Sequence, residues 1–117
     1  MAQQPLSNYL RTSRRRSRLS QDEIAFLMGT FCGTSVSRHE RGSRTPALEA
    51  AIAYECIFGD PVADLFEGDT ERIRMGVKER AMKLRHSLKF RFNDKNRDAK
   101  IRHLSQLLEG GRKKRAA

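Results

Sequence analysis

"SQDEIAFLMGTFCGTSVSRHERG", Ser20 to Gly42, is the stretch whose reading decides the fold. It opens on a capping box. The Ser20 hydroxyl can accept the Glu23 amide hydrogen while the Glu23 carboxylate reaches back to the Ser20 amide. Ile24, Leu27 and Met28 then recur at i, i+3 and i+4, and Gly29 stands where a left-handed residue would end the helix. After the turn "TFCG", the pattern predicts a second helix from about Thr34 to Arg41, stopped by Gly42. That second helix carries one aliphatic residue, Val36, among Ser35, Ser37, Arg38, His39, Glu40 and Arg41. A core helix buries more than one such side chain, so this helix is expected to be seated by Val36 and to present the rest outward.

The neighbouring segments also read as helices. Pro5 suits the first turn of a helix running through an arginine cluster to about Ser17. Thr45 and Pro46 read as N-cap and first turn of a fourth helix, with Leu48, Ile52, Cys56 and Ile57 as its inward stripe and Gly59 as its end. Asp60 and Pro61 open a fifth helix carrying Val62, Leu65 and Phe66. Beyond Gly68, Ile73, Val77, Ala81, Leu84 and Leu88 form an amphipathic stripe. After a breaker near Asn93, Ile101, Leu104, Leu107 and Leu108 form another, up to Gly110 and Gly111. No alternating strand pattern competes. The expected architecture is all-α: residues 1–68 as one domain of five helices, 69–109 as a basic two-helix extension, and 110–117 as a basic tail.

Charge divides the chain in a similar way. Residues 11–44 hold eight arginines against three acids, whereas 45–68 hold five acids and no Lys or Arg. Residues 69–117 hold 16 basic residues against six acids and so carry the whole formal net charge of +10. Such a balance favours polyanionic partners, because each phosphate neutralised releases condensed counterions. At 117 residues a large enzyme is disfavoured. No nucleophile, general base and orienting partner can be assembled from three scattered histidines, so no catalytic residue is expected. Cys32 and Cys56 form no CxxC pair and lie near no histidine cluster, so neither a metal site nor a disulfide framework is expected. Cys56 reads as a small core residue, and no cofactor is implied. No apolar run is long enough to span a bilayer and "MAQQPLSNYL" lacks a signal peptide's apolar region, which makes a cytoplasmic protein the expectation.

The ordered pieces "LSQDEIAFLMG", "VSRHERG", "RTPALEAAIAYECIFG" and "DLF" resemble the helix-turn-helix domain of the phage repressor, Cro and xenobiotic-response-element family of bacterial regulators, over roughly residues 6–67. The resemblance implies a small repressor-like bundle that binds duplex DNA, usually as a homodimer, with the helix carrying "VSRHERG" in the major groove. It also implies that Gln21 meets the sugar-phosphate backbone at the start of its helix. Glu40 would pair with an arginine of the first helix, by register Arg14. The family usually has six steps from the glycine ending the second helix to the aliphatic of the third. Here Gly29 to Val36 is seven. The longer turn leaves open which of Cys32, Gly33 and Thr34 takes the first base-contacting position, and Gly33 is expected to absorb the extra residue.

The expected contact residues are therefore Gln21, Thr34, Ser35, Ser37, Arg38, Arg41, Ser43 and Arg44. Hydroxyls give short contacts, and arginine is shaped for a bidentate pair with guanine. The expectation is a sequence-specific regulator of transcription that binds double-stranded DNA and is nucleoid-associated in a bacterial or phage-encoded setting. Two alternatives remain open on sequence. One is an antitoxin-like autorepressor whose helices over 69–109 hold a protein partner. The other is a sequence-indifferent RNA- or nucleoid-binding protein, disfavoured by an aromatic content of two Tyr, six Phe and no Trp.

Overall fold

The computed structural model describes residues 8–30 and 32–110. Among them every regular element is a helix: α1 (Leu10–Ser17), α2 (Gln21–Leu27), α3 (Thr34–Arg41), α4 (Leu48–Phe58), α5 (Val62–Leu65), α6 (Glu67–Leu88) and α7 (Arg97–Glu109). Pro5, expected in the first turn of the first helix, and residues 111–117 of the expected tail lie outside the described residues. The chain divides into two compact units between Glu71 and Arg72. Gly68, taken from the sequence as a boundary, is not a break in the backbone, because it lies within the first turn of α6.

In the first unit the buried cluster is Leu10, Ile24, Ala25, Val36, Tyr54, Leu65 and Phe66. The capping box of α2 is present, with Glu23 N donating to Ser20 Oγ at 3.1 Å and Ser20 N to Glu23 Oε1 at 2.9 Å. Gly29 ends this helix in the left-handed conformation, with φ 83°. The inward residues of α2 are Ile24 and Ala25 with Met28 beside them, and Leu27 is exposed. At 100° per residue Leu27 lies about a quarter turn from the centre of that set, too far round a seven-residue helix to reach the core.

Two expectations for α4 are corrected. Its N-cap is Ala47, whose ψ of 163° is extended, so Thr45 and Pro46 lead into the helix from outside it. Its expected inward stripe is also displaced. Tyr54 is fully buried and Ala50, Ala51, Ile57 and Phe58 pack around the core, whereas Leu48, Ile52 and Cys56 are exposed. The reason is that α4 is apolar on both sides, so spacing alone offers two stripes, and the tyrosine ring selects one. Tyr54 lies 6.2 Å from the Phe58 ring and 6.3 Å from the Phe66 ring, centroid to centroid. Gly59 closes α4 with φ 79°, and Glu55 Oε1 accepts the Val62 amide at 2.8 Å to start α5.

In the second unit α6 continues to Leu88 and α7 starts at Arg97, with Asn93 in the turns between. Asp94 fixes the start of α7, accepting from Asn96 N at 2.8 Å and Lys100 Nζ at 2.7 Å. Arg85 Nη1 donates to Ser105 Oγ at 3.1 Å, joining the two helices. The amphipathic stripe expected on α6 is only partly covered. Ala81 and Leu88 are buried, while Ile73, Val77 and Leu84 are exposed. With thirteen residues against twenty-two, α7 is too short to cover the whole face, and Leu84 lines an open cleft between the two helices. Its own Ile101, Leu104, Leu107 and Leu108 are half-buried. No helix among the described residues is long and apolar enough to cross a membrane.

Candidate nucleic-acid interface

The exposure of α3 divides cleanly around its axis. Val36, His39 and Glu40 are buried on one side. Thr34, Arg38 and Arg41, at i, i+4 and i+7, are exposed on the other, with Ser35 and Ser37 half-buried at its two edges. Val36 is 2% exposed and is the aliphatic side chain that α3 gives to the core.

Glu40 would oppose an anionic partner if its charge faced outward, and it does not. Its side chain is 3% exposed, and Oε2 takes the Arg14 Nε–H at 2.6 Å. Oε1 accepts from Arg14 Nη2 at 3.3 Å and from Gln21 Nε2 at 3.1 Å. The pairing implied by the family resemblance is therefore present as a forked ion pair between α1 and α3. The glutamate in turn lifts the Arg14 pKa further, with the side-chain hydrogen bond as the largest cause. Gln21 is half-buried and held at the start of α2 by this same carboxylate. With Glu40 neutralised inside, the outward face of α3 keeps only the charges of Arg38 and Arg41.

The start of α3 rests on a contact that residue types alone did not announce. Gly33 N donates to Asp22 Oδ1 at 2.8 Å, so a carboxylate of α2 caps α3. Gly33 has φ −75°, so its conformation does not demand glycine. Its space does: an added Cβ would lie 2.8 Å from Asp22 Oδ1, 2.9 Å from Gln21 Cβ and 3.0 Å from the Gln21 carbonyl carbon. The long turn closes because Gly33 lets the two helix starts approach this closely. Thr34, the first residue of α3, is exposed next to it.

At the other end Gly42 is left-handed with φ 73°, and the Arg38 carbonyl accepts both the amide and the hydroxyl of Ser43, at 3.1 and 3.2 Å. Ser43 thus finishes the helix, and Arg44 follows, exposed. Arg11, Arg15, Arg16 and Arg18 are exposed on and just after α1.

His39 is buried, and its Nδ1 lies 2.7 Å from the Tyr54 hydroxyl, while Asn8 Nδ2 donates to its carbonyl at 2.8 Å. Burial first, then the charge of Arg44, lowers its pKa, so the ring is neutral at pH 7. The same burial raises the pKa of the Tyr54 phenol. Cys32 is exposed, and its thiol is pulled below the ordinary range mainly by hydrogen bonding to Thr34, with Arg38 adding a smaller pull.

The structure thus brings Thr34, Ser35, Ser37, Arg38 and Arg41 onto one helix, with Ser43 and Arg44 just past its end and Gln21 tied to it through Glu40. Sequence reasoning missed Asp22 and Tyr54. The signal for Asp22 was the glycine eleven positions on, whereas nothing in the spacing pointed to Tyr54 as the partner of His39. No family model, curated protein or solved structure matches the chain.

Proposed function

We propose that this protein is a sequence-specific duplex-DNA-binding regulator of transcription, of the repressor-like helix-turn-helix type, with α3 as the helix that enters the major groove. The observation that carries the reading is the division of α3. One aliphatic side chain seats it, its acid is neutralised inside by Arg14, and Thr34, Arg38 and Arg41 face outward in a line. An outward row of hydroxyl and guanidinium groups is the chemistry that reads base edges. Arg44, the arginines of α1 and the basic second unit add the charge that holds a phosphate backbone.

Selection of binding sites from a random duplex pool tests the proposal. The expected result is one enriched motif, bound in preference to scrambled duplex in physiological salt. A pool that enriches nothing, with equal retention of duplex and single strands, would leave only charge-driven binding and overturn it.

A further inference from the structure

Two surfaces of this molecule are apolar, exposed and opposite in their surrounding charge. On α4, Leu48 is 74% exposed and Ile52 48%, and Cys56 is exposed beside them. At i, i+4 and i+8 these three form a slowly winding stripe roughly 12 Å long on the side of α4 away from Tyr54. Glu49 flanks the stripe on one side and Glu55 on the other, within a segment, 45–68, that has five acids and no Lys or Arg. An apolar stripe on a helix is ordinarily covered by another element. Neither the DNA reading nor the core of the first unit uses this stripe.

The second surface lies in the second unit. Between α6 and α7 is an almost wholly apolar cleft of about 550 Å³, floored by Leu84, Leu88, Ala99 and Leu104. Leu84 is 43% exposed there. Arg91, Lys100 and His103 stand at its edge. Lys100 is already bridged to Asp94 at 2.7 Å, yet residues 69–110 around the cleft hold 12 basic residues against six acids.

We infer that the α4 stripe of one copy docks as a helix in the α6–α7 cleft of a second copy. Three aliphatic or thiol side chains at consecutive turns are what an apolar groove between two helices accepts, and the glutamates flanking them meet the basic edge. Pairing like with like is disfavoured by charge: two clefts would bring together segments that are each net positive, with 12 basic residues against six acids over 69–110, and two α4 faces would oppose carboxylates. Two copies that make both contacts form a closed dimer, whereas a pair sharing one contact would leave a free stripe at one end and a free cleft at the other and propagate. The inference does not rest on the DNA reading, since neither surface includes a residue of α3.

Sedimentation of the nuclease-treated full chain, over a range of protein concentrations and without DNA, tests it. The chain should dimerise, and more weakly at 0.5 M than at 0.05 M salt, on the order of tenfold, because opposite charges are screened. Ile52→Asp and Leu84→Arg, both at exposed positions, should each raise the dimer dissociation constant at least tenfold while the circular dichroism stays helical. Their mixture should recover heterodimers, since the first variant keeps an intact cleft and the second an intact α4 stripe. The inference is overturned by a chain that stays monomeric throughout, by a dimer that tightens with salt, by either variant dimerising like the parent, or by a mixture that recovers nothing.

Discussion

The Glu40 carboxylate meets the Arg14 Nε–H at 2.6 Å with the glutamate side chain 3% exposed, so the one acid of α3 is turned inward and held by α1. Removing the charge from one partner of such a pair leaves the other incompletely matched, at a cost on the order of 3 kcal/mol when the pair is buried. Glu40→Gln should therefore lower thermal stability by several degrees while leaving sequence preference intact. Unchanged stability with altered base preference in a binding-site selection would assign Glu40 to the outer face instead.

Arg38 stands in the middle of the exposed line of α3, one turn after Thr34. If it pairs with a guanine edge, Arg38→Ala should lose about 1–3 kcal/mol of discrimination between the selected motif and single-base variants, and keep binding to scrambled duplex. Equal weakening on both would make Arg38 a phosphate contact.

Gly33 is required for space and not for its φ. Gly33→Ala should cost about 1–3 kcal/mol, since a Cβ must push on the Asp22 carboxylate and on backbone of α2. Urea denaturation measures this. A matched Gly29→Ala variant, at an open position where only the left-handed φ of 83° is at stake, separates crowding from backbone strain.

His39 gives the fold a pH dependence. Its folded pKa lies below the unfolded value of about 6.5, so the unfolded chain binds the proton more readily. The stability this group contributes is complete above about pH 6.5 and is lost as pH falls from there toward the folded pKa, with a slope of at most about 1.4 kcal/mol per pH unit for one proton. Urea midpoints between pH 7.5 and 5.5 should fall in the parent and fall less in His39→Gln. Equal slopes would place the pH dependence elsewhere.

Much of the first unit was legible because its signals are local. A capping box, three glycines with positive φ and Pro61 each act within one turn of chain, so the bounds of α2 and α3, the end of α4 and the start of α5 could be read from residue types. The outward character of α3 was legible for a similar reason, since a single aliphatic residue leaves only one way to seat the helix. The pairing of Glu40 with Arg14 came from the family resemblance and not from spacing.

What the sequence by itself determined is where α2 and α3 start and stop, where α4 ends and which stretches carry charge, because capping, left-handed turns and formal charge are properties of neighbouring residues. Tertiary structure alone decided which side of α4 is buried and why Gly33 has no side chain. It also decided how far the α6 stripe is covered. Leu48, Ile52 and Cys56 are as apolar as the residues opposite them, and only the Tyr54 ring, set against Phe58, Phe66 and His39, settles the choice. Gly33 answers to Asp22 and Gln21 from another helix, a closeness that exists only once α2 and α3 are packed. The periodicity of Ile73, Val77 and Leu84 states that a face is apolar; whether anything covers it depends on the length of the helix laid beside it and on how closely that helix packs, which no local pattern contains.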